Sequence, residues 1–327
     1  MQARDNDWTN YLAIRAAWLS FIGGQTQGEI ASRMGMSPAK VHRLIAHAQR
    51  EGFVKFTIEG RPVECLEMED ELSREYSLTS CIIAPDLGSG EQAIATRAVA
   101  SLAAHVLESV LTSDTVQRVG VGMGRTLKAA VEAMPRIARQ DLEIMSICGS
   151  LTRTLAANPY DVVQKLQERT GGEGYYLPVP YFAENRDEKD VFLSQRSVQD
   201  LIQRARQSNV FIVGIGSVDP EGHLIERGMI SGPEQVELAA NGAVCDLMGR
   251  FLALDGSLVA TGLGDCAVGL HFEDVRGARV IALAGGESKA EATLAALRAG
   301  VITDLIADET LVRAMRAKIG KQLVRSA

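Results

Sequence analysis

Apolar positions along this chain fall into two regimes. From residue 79 onward, short continuous apolar runs alternate with longer segments in which apolar residues recur every three or four positions. The runs occupy 81–84, 119–121, 144–148, 175–178, 210–215 and 280–284; the periodic segments occupy 92–111, 126–134, 160–169, 198–206, 289–299 and 309–319. An uninterrupted apolar run suits a strand covered on both faces, and a period near 3.6 suits a helix laid against it. Their alternation predicts a mostly parallel, doubly wound α/β sheet.

The first 60 residues have a different rhythm. Trp8, Leu12, Ile14, Trp18, Leu19 and Ile22 stand at helical spacing and predict a helix over 7–22 packed by those side chains. Residues 26–51 carry the spacing of a helix-turn-helix. Ala31 is small where two helices cross, Gly35 stands where the tight turn needs φ > 0, and Val41 is apolar where the second helix packs on the first. Ile30, Met34, Met36 and Leu44 fill the other inward slots. Ser37 and Pro38 read as N-cap and first residue of the second helix. Val54, Phe56 and Ile58 alternate with Lys55 and Thr57, which predicts a short strand, or wing. Glu59-Gly60-Arg61-Pro62 breaks the pattern. Residues 66–78 are acidic and helix-prone, and suit either a connector with a dimer contact or a solvated cap on the second domain. The pattern divides the chain into a small winged helix-turn-helix domain over 1–60, a linker and connector helix over 61–78, and a larger α/β domain over 79–327.

Composition narrows the class. The 327 residues suit about two domains. A hydrophobic share of 46% and a charged share of 23% are those of a globular protein. No apolar run reaches the ~18 residues of a membrane span, and the polar start MQARDNDWTN has no secretory core, so a cytoplasmic protein without membrane contact is expected. Five scattered cysteines, with no CxxC pair, argue against a disulfide framework or a zinc ribbon. The five histidines show no metal spacing. There is no Gly-x-Ser-x-Gly elbow, and no cofactor is expected. The net charge of −7 is uneven: residues 1–60 hold seven Lys and Arg against five Asp and Glu, the remainder 27 against 36. Positive charge is thus local to the segment with the helix-turn-helix, as expected if only that part meets phosphates.

Candidate chemistry gathers where strands end in glycine. In VGVGMGRTL (119–127) a strand runs into Gly122-Met123-Gly124-Arg125-Thr126 and a helix follows. Glycines admit close backbone approach, a helix start offers free N–H groups, and Arg125 and Thr126 add donors. The loop lacks the Gly-Lys-Ser/Thr ending of a nucleotide-phosphate loop, and Arg125 occupies the third glycine of a dinucleotide fingerprint. It suits a phosphate or several sugar hydroxyls, or is a tight turn without a ligand. Gly285 and Gly286 precede a helix with Lys289 in reach, and Gly214 and Gly216 end a further run. All lie at carboxyl ends of predicted strands, where open α/β sheets bind ligands. Asp246 is a carboxylate among apolar neighbours and needs a partner: sugar hydroxyls, a helix end or Arg250.

In this order, the segments QGEIA (27–31), VHRL (41–44), VGVGMGRTL (119–127), LPVP (177–180), VGIG (213–216), GRF (249–251), AGGESK (284–289) and ALRAG (296–300) resemble the SorC family of bacterial sugar-responsive transcriptional regulators over about residues 12–315. The resemblance implies an effector domain similar in fold to glucosamine-6-phosphate deaminase and ribose-5-phosphate isomerase, with catalysis given up for sensing. It implies a homodimer or homotetramer that binds double-stranded operator DNA under control of a sugar, polyol or sugar phosphate. It carries the effector loop to Gly122–Thr126, the carboxylate to Asp246 and the phosphate-side lysine to Lys289. Departures accompany it. Cys148-Gly149-Ser150 stands for the family's Gly-Gly, Met123 for a frequent Trp, Cys245 for a Gly and Cys266 for an Arg, each expected at the pocket. They imply a small or unphosphorylated polyol in place of a large phosphosugar.

On the DNA side, the second helix of the motif is expected in the major groove. Ala39, Lys40, His42 and Arg43 lie near its start; Arg43 suits bidentate reading of a guanine, and Gln27, Ser37 and Lys40 suit phosphates. The reading is a regulator, with repression as the default. Its alternatives are a sugar-phosphate isomerase or deaminase with an appended DNA-binding domain, and an adaptor that uses the winged helix for protein contacts.

Overall fold

In a computed structural model of the chain, residues 2–54, 60–153, 156, 158, 161–220 and 222–326 are described. The chain divides into two compact units, Met1–Gly60 and Arg61–Ala327.

The first unit is three helices: α1 (Gln2–Ala17, continuing through one π-helical turn, Trp18–Ile22), α2 (Gln27–Met34) and α3 (Pro38–Arg50). Thr26 and Glu29 form a reciprocal capping box that starts α2, and Gly35 ends it at φ 64°. Ser37 caps α3 by accepting from the Lys40 N–H at 3.3 Å. Ile30, Ala31, Val41, Leu44, Ile45 and Ala48 close the core. The helix over 7–22 forms, but it packs through Ala13, Ala16 and Ala17, with Leu12 and Leu19 half-buried beside them. Trp8, Ile14, Trp18 and Ile22 are 61%, 39%, 64% and 73% exposed. Alanines let helix axes approach closely, so the small residues take the interior and the large ones turn outward. The expected wing lies, from residue 55 on, outside the described residues.

The second unit begins with α4 (Val63–Glu75), β1 (Ser80–Ala84), α5 (Gln92–Leu111), β2 (Arg118–Val121), α6 (Arg125–Ala133), β3 (Glu143–Leu151), α7 (Val163–Thr170), β4 (Glu173–Pro180), α8 (Arg186–Ser194), α9 (Arg196–Arg206) and β5 (Val210–Gly214). It continues through β6 (Gly216–Ser217), α10 (His223–Glu226), α11 (Gly232–Ala240), β7 (Ala243–Leu247), β8 (Arg250–Ala253), α12 (Gly262–Asp265), α13 (Phe272–Val275), β9 (Arg279–Leu283), α14 (Ala290–Arg298), β10 (Asp304–Asp308) and α15 (Glu309–Ser326). Seven parallel strands form one sheet in the order β1-β10-β9-β5-β2-β3-β4. Its strands feed two cores: Val119, Val121, Val210, Ile212 and Ile281 face one, while Phe211, Val213, Val280 and Ala282 face the other. Burial on both faces is why the runs of the inner strands are almost wholly apolar, whereas the edge strand β4 leaves Tyr176 and Pro178 exposed. By length and composition α5 is apolar enough to span a bilayer, yet Val99, Ala103, Leu107 and Leu111 are fully buried beside the sheet.

Helices α8, α10, α11, α12 and α13 and strands β6, β7, β8 and β10 were not anticipated. Strand β10 is bounded by Asp304 and Asp308, which broke the apolar run; both are buried, and Asp304 pairs with Arg279 at 2.6 Å. β6, β7 and β8 form a small antiparallel sheet, joined between β7 and β8 by Met248 (φ 55°) and Gly249 (φ 76°), the two left-handed residues of a tight hairpin turn.

Candidate functional site

Chain order in the large sheet reverses between β2 and β5. From β2 the chain steps outward to β3 and β4, then returns to the other side of β2 as β5. Loops leave a reversal point in opposite directions and open a crevice at the strands' carboxyl ends. A cavity lies there, lined by Gly122–Thr126, Gly214 and Gly216 with Asp246, His223, Tyr181 and Lys289. The two glycine loops rest on each other. A side chain on Gly214 would meet the Met123 carbonyl at 2.8 Å, and one on Gly216 would meet Asp246 at 3.2 Å. The small residues thus bring two backbones and a carboxylate to one place.

The cavity has a cationic and an anionic side. On the cationic side the N-cap of α6 is Gly124, which has no side chain to cap the helix, so the first-turn N–H groups are available to a ligand. Arg125 is exposed at its mouth. Lys289 is buried at the end of the single 3-10 turn Glu287–Lys289, and its ammonium donates to the Ser217 hydroxyl at 2.9 Å. Ser217 in turn donates to Asp219. Burial holds the Lys289 ammonium below its ordinary range, against the pull of Asp219. His223 is pushed down to about 3 by burial, with Lys289 and Arg125 adding to the effect, so the imidazole is neutral at physiological pH.

On the other side Asp246 projects from β7 and is 4% exposed. Its carboxylate accepts from the Gly249 N–H at 3.0 Å and from the Tyr181 hydroxyl at 3.3 Å. Burial pushes it up to about 6, although those two donors, Lys289 and Arg250 favour its charge. Of the three partners open to Asp246 on sequence grounds, a helix end is excluded by its place in a strand. No ion pair with Arg250 occurs among the described residues; Arg250 donates to the Gly264 carbonyl and contacts His271. A carboxylate with spare lone pairs, a phenol, a neutral imidazole and backbone amides can accept from and donate to a chain of hydroxyl groups.

Several expected site residues lie elsewhere. Gly149 and Ser150 do not line this cavity: Gly149 is where β3 and β4 press together, and Ser150 lines a separate depression with Asn158 and Asp161. Gly285 and Gly286 do not line it either. Gly286, at φ 87°, donates to Asp308 at 2.7 Å, and the Gly285 carbonyl accepts from Gln92 at 2.6 Å. They turn the chain so that Lys289 reaches inward. Of the four departures from the family pattern, Met123 and Cys148 line the cavity and Cys245 and Cys266 do not. Cys245 is fully buried in β7, and Cys266 packs against Leu177, Val179 and Val198. Sequence reasoning missed Tyr181, His223 and Gln92. Tyr181 directly follows the LPVP segment, which was the one available signal; an isolated histidine and a glutamine carry none.

In the first unit Gln27, Ser37, Ala39, Lys40, His42 and Arg43 are all exposed. Gln27 and His42 approach to 3.3 Å across α2 and α3, which sets the start of α2 beside the outer face of α3. Arg43 folds back on the Ala39 carbonyl at 3.4 Å.

The sequence matches the family model described as "Putative sugar-binding domain" over residues 60–315. It is 39% identical over 309 residues to the erythritol catabolism regulatory protein EryD of Brucella abortus (strain 2308), covering 94% of this chain and 97% of that protein. It is 28% identical to the transcriptional regulator LsrR of Escherichia coli K12, over 92% of this chain and 93% of that one. In fold it is similar to the full-length sorbitol operon regulator SorC from Klebsiella pneumoniae, with TM-score 0.72, 21% identity, and coverage of 93% and 98% of the two chains. A model match through most of the α/β unit, joined to likeness along nearly the full length of a named regulator, assigns the lineage: the chain belongs to the SorC family of sugar-binding transcriptional regulators.

Proposed function

We propose that this regulator represses a polyol-catabolic operon in the cytoplasm and that its effector is a small unphosphorylated polyol held in the cavity between β2 and β5. The observation that carries the reading is Asp246. It is a buried carboxylate facing the cavity, which gains most from a ligand with adjacent hydroxyl groups. Lys289 supports a neutral ligand, since its ammonium already has the Ser217 hydroxyl, backed by Asp219. The likeness to an erythritol catabolism regulator points to the same chemistry. Relatives named as regulators do not favour the alternative of an isomerase or deaminase with a DNA-binding head. Thermal-shift measurement of the full chain against tetritols, pentitols, hexitols and their phosphate esters tests the reading. Stabilisation by a free polyol is expected, because a ligand of the folded state alone raises its melting temperature. Stabilisation confined to the phosphate esters would refute it.

The DNA-reading role rests on α3, with Gln27 and Ser37 beside it as phosphate contacts. For Arg43→Ala we expect a loss of about 1–3 kcal/mol on the preferred operator, with discrimination relaxed at one base pair. Equal weakening on every sequence would make Arg43 a phosphate contact. One helix-turn-helix reads few base pairs, so two or four copies are expected to act together on a repeated or palindromic site.

A further inference from the structure

Lys289 lines the cavity, yet the two residues that hold its ammonium do not. Gly216 and Ser217 form β6, where successive residues face opposite ways. Gly216 pairs with Asp246 and lines the cavity, while Ser217 pairs with Cys245 and stands behind it. The buried Ser217 hydroxyl has one hydrogen, which it donates to Asp219, and a lone pair accepts from Lys289 at 2.9 Å. Ser217 therefore has no donor left for a ligand, and the ammonium is held from outside the ligand's space. A tight turn fixes Asp219 in its place. The Gly222 N–H donates to the Asp219 carbonyl at 2.9 Å, and a side chain on Gly222 would stand 2.9 Å from that oxygen and 3.0 Å from the Ser217 carbonyl oxygen. After burial, which lowers the Lys289 ammonium, Asp219 is the strongest influence on it and favours its charge.

The charges around the cavity balance. Among the residues that line it, Arg125 and Lys289 are positive, Asp246 is negative and His223 is neutral at physiological pH. Asp219, behind Lys289, brings the sum to zero. A phosphate monoester carries about −1.5 to −2 at neutral pH, and a buried charge without a counter-charge is strongly disfavoured. A neutral polyol meets no such penalty. We propose that Asp219, acting through Ser217, is the residue that selects free polyols over their phosphate esters, because it occupies the buried ammonium that a phosphate would need. That assignment rests on the polyol reading of the cavity and names what enforces it: a cation kept in place but already satisfied, so that the wrong ligand is excluded.

Asp219→Asn tests this selection. The amide oxygen still accepts from the Ser217 hydroxyl but carries no charge, which leaves Lys289 to a phosphate. The full-length chain is titrated calorimetrically with inorganic phosphate, and with tetritols, pentitols and hexitols and their phosphate monoesters. The wild type should show no measurable binding of inorganic phosphate. Asp219→Asn should bind it, and should raise the ratio of ester to free-polyol affinity at least tenfold. Adding Lys289→Met should remove the gain, which ties it to the ammonium. Ser217→Ala breaks the same relay at its other member and should shift the ratio in the same direction, with circular dichroism checking the fold of each variant. Folded Asp219→Asn and Ser217→Ala chains that bind phosphate and the esters no better than the wild type would overturn the role of Asp219 and leave the polyol reading standing. A wild type that already prefers the esters would overturn both.

Discussion

Asp246→Asn is expected to weaken polyol binding about a hundredfold while leaving operator affinity in the absence of effector unchanged. The substitution keeps the shape of the side chain and one acceptor oxygen, so the Gly249 N–H and the Tyr181 hydroxyl retain a partner. What is lost is the negative charge that two ligand hydroxyls would share. Hydrogen bonds to a charged group contribute about 1.5–3 kcal/mol each, so a loss of about 3 kcal/mol is reasonable, and that is a hundredfold in affinity. Acidity gives a second handle on the same group. Burial pushes Asp246 up to about 6, and only the carboxylate accepts from two hydroxyls. Affinity should be flat above pH 7 and fall as the pH drops through about 6, and Asp246→Asn should remove that dependence. Stability moves separately. A carboxyl with a raised folded-state pKa binds its proton more readily when folded, so between about 6 and 4 it stabilises the protein as the pH falls. His223, pushed down to about 3, acts in the opposite sense, because the unfolded chain takes up its proton below about 6.5. Calorimetric titration from pH 5.5 to 8, with circular dichroism at each pH, separates binding from folding. An unchanged affinity in Asp246→Asn would remove the carboxylate from the site.

The second large effect concerns a glycine that does not touch the cavity. Gly149→Ala is expected to destabilise the second unit by about 3 kcal/mol or more, the size reserved for changes that force paired backbone apart. A methyl group at this position would stand 2.1 Å from the Pro180 carbonyl oxygen and 2.6 Å from that of Val179. Both belong to β4, so no side-chain rotation relieves the clash. Gly124, also in a glycine-rich strand end, has only the Gly214 Cα near its missing Cβ, at 3.9 Å. A melting temperature in Gly149→Ala lower by roughly 6–12 °C is the expected reading; an unchanged one would show that β3 and β4 separate at little cost.

Gly149 also illustrates what the sequence can and cannot convey. The six apolar runs all became strands; those inside the sheet are buried on two faces, which leaves a composition that no other element needs, while 175–178 became the edge strand β4 with Tyr176 and Pro178 exposed. The helix-turn-helix was legible because Ala31, Gly35 and Val41 each meet a separate steric demand at fixed spacing. The cavity was half legible. Gly122, Gly124, Arg125, Thr126, Gly214 and Gly216 line it, since strand ends at a reversal of chain order meet by topology. Gly149, Gly285 and Gly286 share that local signature, yet they serve strand packing and a turn, and a glycine does not announce which backbone approaches it. Asp246 was visible as a misplaced charge, but its partners Tyr181 and Gly249 come from β4's far end and from a hairpin whose left-handed residues begin with a methionine. The large residues of α1 were placed inward on period alone, and alanines took their place because close helix crossing favours small side chains.

A small polyol at Asp246 is expected to set the grip of α3 on DNA. That control is tested most directly by titrating DNA, selected by the protein from a random library, with the full-length chain in the presence and absence of the stabilising polyol. A ligand shifts such an equilibrium only by its difference in affinity for the two states, so the wild type should lose at least tenfold in DNA affinity when the polyol is present, and Asp246→Asn should lose nothing at the same polyol concentration. Equal DNA affinity of the wild type with and without a polyol that demonstrably binds it would contradict the account.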